Sequence, residues 1–465
     1  MSKNNYQYVV YGLGISGIST ATHLANRNFS VIATDDNISA LENFRQKISK
    51  DFPNIKILQP DQISFDKNSI ISFSPGIPLF FPKPHPILDI LSKTQAQLKC
   101  DLAIFYDLNS QNNFIGITGT NGKSTTTALI GYIFNNLNIP SQIGGNIGIP
   151  CFELPQDQQN FYYIFETSSY QLDLISNTKF NIACLTNITP DHIDRHGTFE
   201  NYIKSKKRIF QNQTNDDFAI ICIDNPNCKK IYFDLIANNH PAFMIATSTN
   251  SILENGLSII NDNVYINLAN QQFEFKIQPF IKGQHNLENI SVALSTAIAY
   301  LIKNQQFNLN NIEKIIKIIE KFSGLKHRLQ NVRNIDNINF INDSKATNAE
   351  STENALKAYD NIFWILGGRA KDGGINSLVP YFSKIVKAYL IGESAEEFAK
   401  ILKNYQVDFE ISKTLETAFK SSYEDCKKSD LKIKNILLSP ACASFDQWKN
   451  FEERGDYFCK LANEI

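Results

Sequence analysis

The chain has 465 residues, with 45 Lys+Arg against 46 Asp+Glu and a formal net charge of −1. That balance supplies no overall field for holding DNA, RNA or an anionic membrane, so nucleic-acid partners are not expected. At about 100–200 residues per domain the length suggests roughly three domains, and 43% hydrophobic with 20% charged residues suits an ordinary globular protein.

No apolar run reaches the 18 or so residues that span a bilayer, so membrane insertion is not expected. The opening Met1-Ser2-Lys3-Asn4-Asn5 leads into an apolar stretch too short for a signal peptide. The eight cysteines form no CxxC pair. Neither a zinc site nor a disulfide framework is indicated, and a reduced, cytoplasmic enzyme is the natural expectation.

In chain order, a strand at 8–11 runs into a glycine turn and a helix over 18–28, followed by strands at 31–34 and 70–73. This alternation argues for a parallel sheet covered by helices. The pattern restarts at 114–117, where a second glycine turn opens a helix over 124–137. Further strands follow at 163–165, 182–185 and 219–222. Residues 250–277 alternate apolar and polar residues, which suggests a small antiparallel excursion. A third unit starts near Leu325, with strands at 338–341, 362–366, 388–391 and 436–438.

The first loop, Gly12-Leu13-Gly14-Ile15-Ser16-Gly17, fits G-x-G-x-x-G between strand and helix, and Asp35 ends the next strand. Backbone amides and a helix N-terminus there would hold a diphosphate. NAD, FAD or any nucleotide diphosphate satisfies that physics, as does a glycine turn without ligand. The second loop, Gly116-Ile117-Thr118-Gly119-Thr120-Asn121-Gly122-Lys123-Ser124, ends like a P-loop. Its amides would wrap phosphates, Lys123 would meet the β- and γ-phosphates, and the Ser124 hydroxyl would hold Mg²⁺. A dehydrogenase has no need of such a loop.

G-x-x-G-T-N-G-K-S resembles the ATP loop of the Mur ligases and folylpolyglutamate synthases, which join a carboxylate to an amino acid using ATP. The resemblance runs along almost the whole chain. It includes Gly145-Asn146-Ile147-Gly148, Glu166-Thr167-Ser168-Ser169-Tyr170-Gln171-Leu172, and Asn187 through Asp191-His192-Ile193-Asp194-Arg195-His196-Gly197. It continues with Tyr202-Ile203-Lys204-Ser205-Lys206 and His285-Asn286-Leu287-Glu288-Asn289. Three more stretches are similar to the branch that adds D-glutamate to UDP-N-acetylmuramoyl-L-alanine in peptidoglycan synthesis. These are Asn342-Asp343-Ser344-Lys345-Ala346-Thr347-Asn348, Leu366-Gly367-Gly368-Arg369-Ala370-Lys371, and Leu438 through Ser444-Phe445-Asp446-Gln447. The N-terminal glycine-loop domain argues against the folate enzyme, and Leu438 to Gln447 against other Mur ligases. A P-loop switch or motor, or a nicotinamide enzyme, are alternatives of another class.

The resemblance implies an α/β protein of three domains. Residues 1–101 would form a Rossmann-like UDP-substrate domain, 102–324 a central P-loop ATPase domain, and 325–465 a Rossmann-like amino-acid domain that closes over ATP. It makes Lys123, Glu166, His192 and a carbamylated Lys206 catalytic. Gly119, Thr120, Asn121, Gly122, Lys123, Ser124, Thr125, Asn286, Asn289, Arg328 and Asp343 would bind ATP. Gly14, Ile15, Ser16, Asp35, Ser74, Pro75, Gly76 and Asn146 would hold the UDP substrate, with Asp36-Asn37 standing where a hydroxyl and often an arginine are expected. Lys345, Thr347, Lys371, Ser444 and Phe451 would take D-glutamate. Two Mg²⁺ ions are expected, held by Ser124 and Glu166 and by His192, in a monomer. On the residues alone, His192 among Asp191, Asp194 and Arg195 is equally a surface salt-bridge cluster. The basic run around Lys206 is equally a solvated face, and Asn286 and Asn289 could be helix caps.

Overall fold

The computed structural model describes residues 6–48, 50–145, 149–281, 283–370 and 373–465. The chain divides into two compact units, Met1–Phe322 and Ser323–Ile465. The first unit holds two sheets.

The first sheet contains β1 (Gln7–Tyr11), β2 (Ser30–Thr34), β3 (Ile55–Ile57), β4 (Ser69–Phe73) and β5 (Gln97–Lys99), in the order β3-β2-β1-β4-β5 and all parallel. Val9, Val10, Val31, Ile32, Ile70 and Ile71 are buried on both faces, which is what continuous β-branched runs favour in a parallel sheet. Tyr11 pairs with Thr34 on one side and Phe73 on the other, so the three following loops leave the sheet at one edge. The first helix, Ile15–Asn26, begins nearer the glycine loop than its apolar pattern suggests and ends where Asn28 turns left-handed at φ 61°.

Among the described residues the second sheet contains nine strands: β6 (Asn113–Thr118), β7 (Ser141–Gly145), β8 (Tyr162–Glu166), β9 (Ile182–Leu185), β10 (Phe218–Cys222), β11 (Phe243–Ser248), β12 (Gly256–Ile260), β13 (Asn263–Leu268) and β14 (Gln271–Lys276). Their order is β14-β13-β12-β11-β10-β9-β6-β8-β7. Only β12–β13 and β13–β14 pair antiparallel, which is the excursion the alternating 250–277 segment implies. The helices Lys123–Asn136 and Gln284–Lys303 pack together on this sheet. One continuous apolar core serves both sheets, with Phe105 touching Phe114, Phe152, Tyr163 and Phe165 at 4.9–6.2 Å between ring centroids.

The second unit holds β15 (Gln330–Ile335), β16 (Ile338–Asn342), β17 (Ile362–Gly367), β18 (Ile385–Ile391), β19 (Phe409–Lys413) and β20 (Lys434–Leu438), ordered β15-β16-β20-β17-β18-β19. Only β15 runs antiparallel to its neighbour. Alternate residues feed two cores: Trp364 and Leu366 one face, Phe363 and Ile365 the other. Leu438 lies beside both Asn342 and Ile365, so the loops after β16, β17 and β20 share one edge. No described helix is long and apolar enough to cross a membrane.

Candidate active site

Parallel sheets bring ligand-binding loops to the carboxyl ends of their strands, and the second glycine loop leaves β6 there. Gly119 and Gly122 adopt φ 153° and 81°, and an added Cβ would stand 1.9 Å from Thr186 Oγ1 and 2.1 Å from Asn289 Oδ1 respectively. Only glycine fits the two positions. The loop is braced by the segment that follows the neighbouring strand β9: Thr120 N donates to Asn187 O at 2.8 Å and Asn121 N to Asn187 Oδ1 at 2.8 Å. Lys123 opens the helix, and its Nζ donates to Gly119 O at 3.0 Å and Thr120 O at 2.7 Å. Ser124 is buried one residue later, and Thr125 is half-buried. Asn289 lies beneath the loop, its Oδ1 accepting from Thr126 Oγ1 at 3.2 Å, and Asn286 Oδ1 accepts from Asn289 Nδ2 at 3.4 Å. Gly283, not either asparagine, caps that helix.

Glu166 ends β8 directly beside Ile117 of β6 and is buried. Lys206 comes from the helix Phe199–Lys207 and is 2% exposed. Its Nζ donates to Gly119 O at 2.7 Å and lies 4.6 Å from the Tyr202 ring centroid. Burial, and secondarily the charge of Lys123, hold its pKa well below the usual lysine range. Burial thus favours the neutral amine over the ammonium. The basic run is thus split, with Lys206 turned inward and Lys204 outward.

His192 precedes the one-turn helix Ile193–His196, in a left-handed conformation at φ 53°. Its side chain is half exposed, with Asp191 Oδ2 3.4 Å from Nε2 and the Tyr170 ring 5.1 Å away. Arg195, unassigned by sequence reasoning, donates to the carbonyls of Pro75, Gly76 and Ile77 at 3.0–3.3 Å. Its place in the D-H-x-D-R-H stretch was the one available signal.

The first glycine loop sits where three loops leave the first sheet. A Cβ on Gly12 would come within 2.5 Å of Ser74 Cβ, and one on Gly17 within 1.9 Å of Gly12 O. Nothing lies within 4 Å of a Cβ on Gly14, and Ile15 is largely exposed above it. Asp35 braces the loop, accepting from Leu13 N at 2.6 Å and Asn37 N at 2.8 Å. Asp36 accepts from the Tyr11 hydroxyl at 2.6 Å and lies 3.2 Å from His85 Nε2. Ser16 is half-buried, whereas Asn146 lies outside the described residues.

In the second unit the three D-glutamate-type stretches leave the sheet at one edge, and Arg454 joins the first of them to the third. This buried guanidinium donates to Ser344 Oγ, Ser344 O and Cys442 O at 2.8–3.2 Å. Lys345 Nζ stands 5.5 Å from the Phe451 ring centroid, Thr347 N donates to Lys345 O at 2.9 Å, and Ser444 is buried. Asp343 accepts from Ser439 Oγ at 2.7 Å and from Leu329 N, next to Arg328, at 3.2 Å. Burial pushes its carboxyl up to about 7. Lys371 lies outside the described residues.

Among the described residues no three His, Cys, Asp or Glu side chains gather as a metal cage. Mg²⁺ that arrives with a nucleotide needs none, because phosphates and waters supply most of its six oxygens. One hydroxyl from Ser124, in the first turn of the helix after the loop, and one carboxylate from Glu166, at the end of the strand paired with β6, fit that demand.

A nucleotide-type α/β protein with a phosphate loop and a buried lysine against it is the class these features define. The Mur ligase middle domain matches residues 117–297, and the Mur ligase glutamate ligase domain matches residues 327–442. The chain belongs to the Mur ligase family. It is 42% identical, over 98% of its length and 97% of the relative's, to a UDP-N-acetylmuramoylalanine--D-glutamate ligase of Rickettsia bellii. It is 36% identical, over 97% of its length and 95% of the relative's, to the protein of that name from Paramagnetospirillum magneticum. Among solved structures, MurF of Acinetobacter baumannii shares the fold with a TM-score of 0.58 at 14% identity, covering 98% of this chain and 94% of that one. The UDP-N-acetylmuramate-alanine ligase of Thermotoga maritima does so with a TM-score of 0.55 at 14% identity, covering 98% and 99%.

Proposed function

We propose that the protein is an ATP-dependent ligase that joins D-glutamate to UDP-N-acetylmuramoyl-L-alanine during peptidoglycan synthesis. The near-full-length identity to relatives named for this reaction carries the reading. The braced phosphate loop supports its chemistry.

A carboxylate does not acylate an amine at neutral pH, so it must first become an acyl phosphate. The Gly119–Lys123 amides and Lys123 would hold the transferring phosphoryl. Mg²⁺ would neutralise charge between nucleotide and carboxylate, held by Ser124 and Glu166, with a second ion near His192. Lys206 as an ammonium would repel those ions. Addition of its neutral amine to CO₂, with loss of one proton, makes it an anionic carbamate beside the loop. Asn286, Arg328 and Asp343 are assigned to ATP. Gly14, Ile15, Ser16, Asp35 and the 74–76 loop are assigned to the UDP substrate. D-glutamate, a dianion, needs dedicated cationic and hydroxyl partners; Lys345, Thr347 and Ser444 have that character, and the Phe451 ring would pack on its methylenes. Residues 1–101, 102–324 and 325–465 would divide these tasks in a cytoplasmic monomer.

Phosphate release is measured with ATP, UDP-N-acetylmuramoyl-L-alanine and one amino acid at a time. Turnover with D-glutamate and not with L-alanine, L-lysine or L-glutamate is the expected result. Preference for another amino acid, or release without any, would overturn the reading.

A further inference from the structure

The helix Ile193–His196 is a single turn, and one turn has too few hydrogen bonds to hold itself. Arg195 ties it to the loop that follows β4. Its Nη2 donates to Pro75 O at 3.0 Å and Ile77 O at 3.1 Å, and its Nη1 to Gly76 O at 3.3 Å. Its Cζ lies 4.3 Å from the centroid of the Tyr170 ring. That ring stacks on His196 at 15° between planes, and His196 Nε2 stands 2.9 Å from Ser169 Oγ. On the other side, Arg195 N and His196 N both donate to His192 O at 3.1 Å. The residue whose carbonyl takes both bonds, His192, is in a left-handed conformation at φ 53°. A second contact ties the same parts: a Cβ on Gly197 would fall 2.5 Å from the Phe81 ring. A cleft between them is lined by Phe73, Pro75, Ile77, Tyr170, Asp173 and Arg195.

We propose that Arg195 is a positioning residue that couples the 74–77 loop to His192, so that seating the UDP substrate also sets the group beside the acyl phosphate. The inference rests on the assignment of that loop to the UDP substrate. Three consecutive carbonyls demand a planar fork of donors, which arginine has and lysine lacks. Arg195→Lys therefore keeps the charge and the bulk but loses the clamp.

The test measures UDP-N-acetylmuramoyl-L-alanine binding by calorimetry and initial rates for wild type, Arg195→Lys and Arg195→Ala, with thermal midpoints alongside. Loss of charged hydrogen bonds predicts a rise in Kd and KM for that substrate of about 10- to 100-fold. kcat falls with it, while KM for ATP stays within about twofold. The lysine variant melts close to wild type, which separates positioning from folding. Unchanged Kd for the UDP substrate in a folded variant, or equal rises in KM for ATP and the UDP substrate, would overturn the proposal. Failure of the wild type to bind that substrate would instead strike at the loop assignment itself.

Discussion

Lys206 shows how one side chain carries both a stability cost and a chemical opportunity. Its pKa is lowered, mainly by burial. The unfolded chain therefore binds that proton more readily, and stability declines as pH falls below the ordinary lysine value. The same burial leaves the neutral amine available for CO₂. Lys206→Ala should lose nearly all ligase activity, with partial rescue by millimolar formate or acetate standing in for the carbamate; wild-type rates without added anion would refute the assignment. Lys206→Arg, whose guanidinium stays charged, should not be rescued. Asp343 works in the opposite direction. Its carboxyl is raised from 3.8 to about 7 by burial, against opposing hydrogen bonds from Ser439 and Leu329. The folded state then holds the proton more tightly, so stability is lost as pH rises from about 4 through about 7. A shift of that size is worth at most roughly 4 kcal/mol. The thermal midpoint of the free protein should fall as pH rises from 5 to about 7, and Asp343→Asn should flatten that dependence on pH. An unaltered slope in the variant would show that the buried carboxyl does not govern it.

At the scale of elements, the two glycine loops differ in what their glycines do. Gly122 is conformationally required, and Gly122→Ala should damage the ATP loop by strain and by collision with Asn289. Gly14 has φ −72° and open space above it. Gly14→Val should therefore fold normally yet fill the space over the loop, raising KM for the UDP substrate by tenfold or more and leaving KM for ATP unchanged. Equal effects on both constants, or a large fall in thermal midpoint, would count against a nucleotide seat there. Both loops were legible because strand, glycine spacing and helix all lie within about twenty consecutive residues. The braces were not. Thr186 and Asn187 reach the phosphate loop from just beyond another strand, and Asn289 supports it from a helix far along the chain. Local pattern showed Asn286 and Asn289 at a helix start, but only packing puts Asn289 beneath Gly122. Arg195 was visible as a charge in a motif, while its three carbonyl partners lie more than a hundred residues upstream.

For the whole molecule, apolar runs marked most central strands to within a residue or two, because buried parallel strands are continuously hydrophobic. β18 begins earlier than its apolar core suggests, since Val386 and Lys387 lie at a less buried end. One apolar core serves the first two sheets. Continuity of that core has a thermodynamic consequence. Met1–Phe322 should unfold as one cooperative body and Ser323–Ile465 as another. Calorimetry of the intact protein should then resolve into two transitions, not three. A ligand that binds only one folded unit stabilises that unit by about 2.7 kcal/mol at one hundred times its Kd. UDP-N-acetylmuramoyl-L-alanine should therefore raise the transition of the larger unit by roughly 3–6 °C, the scale set by its unfolding entropy. The smaller unit's transition should stay in place. Gly14→Val should abolish the ligand-induced shift without moving the unliganded midpoint. If the substrate instead moved the smaller transition alone, the glycine loop of the first sheet would not be its seat.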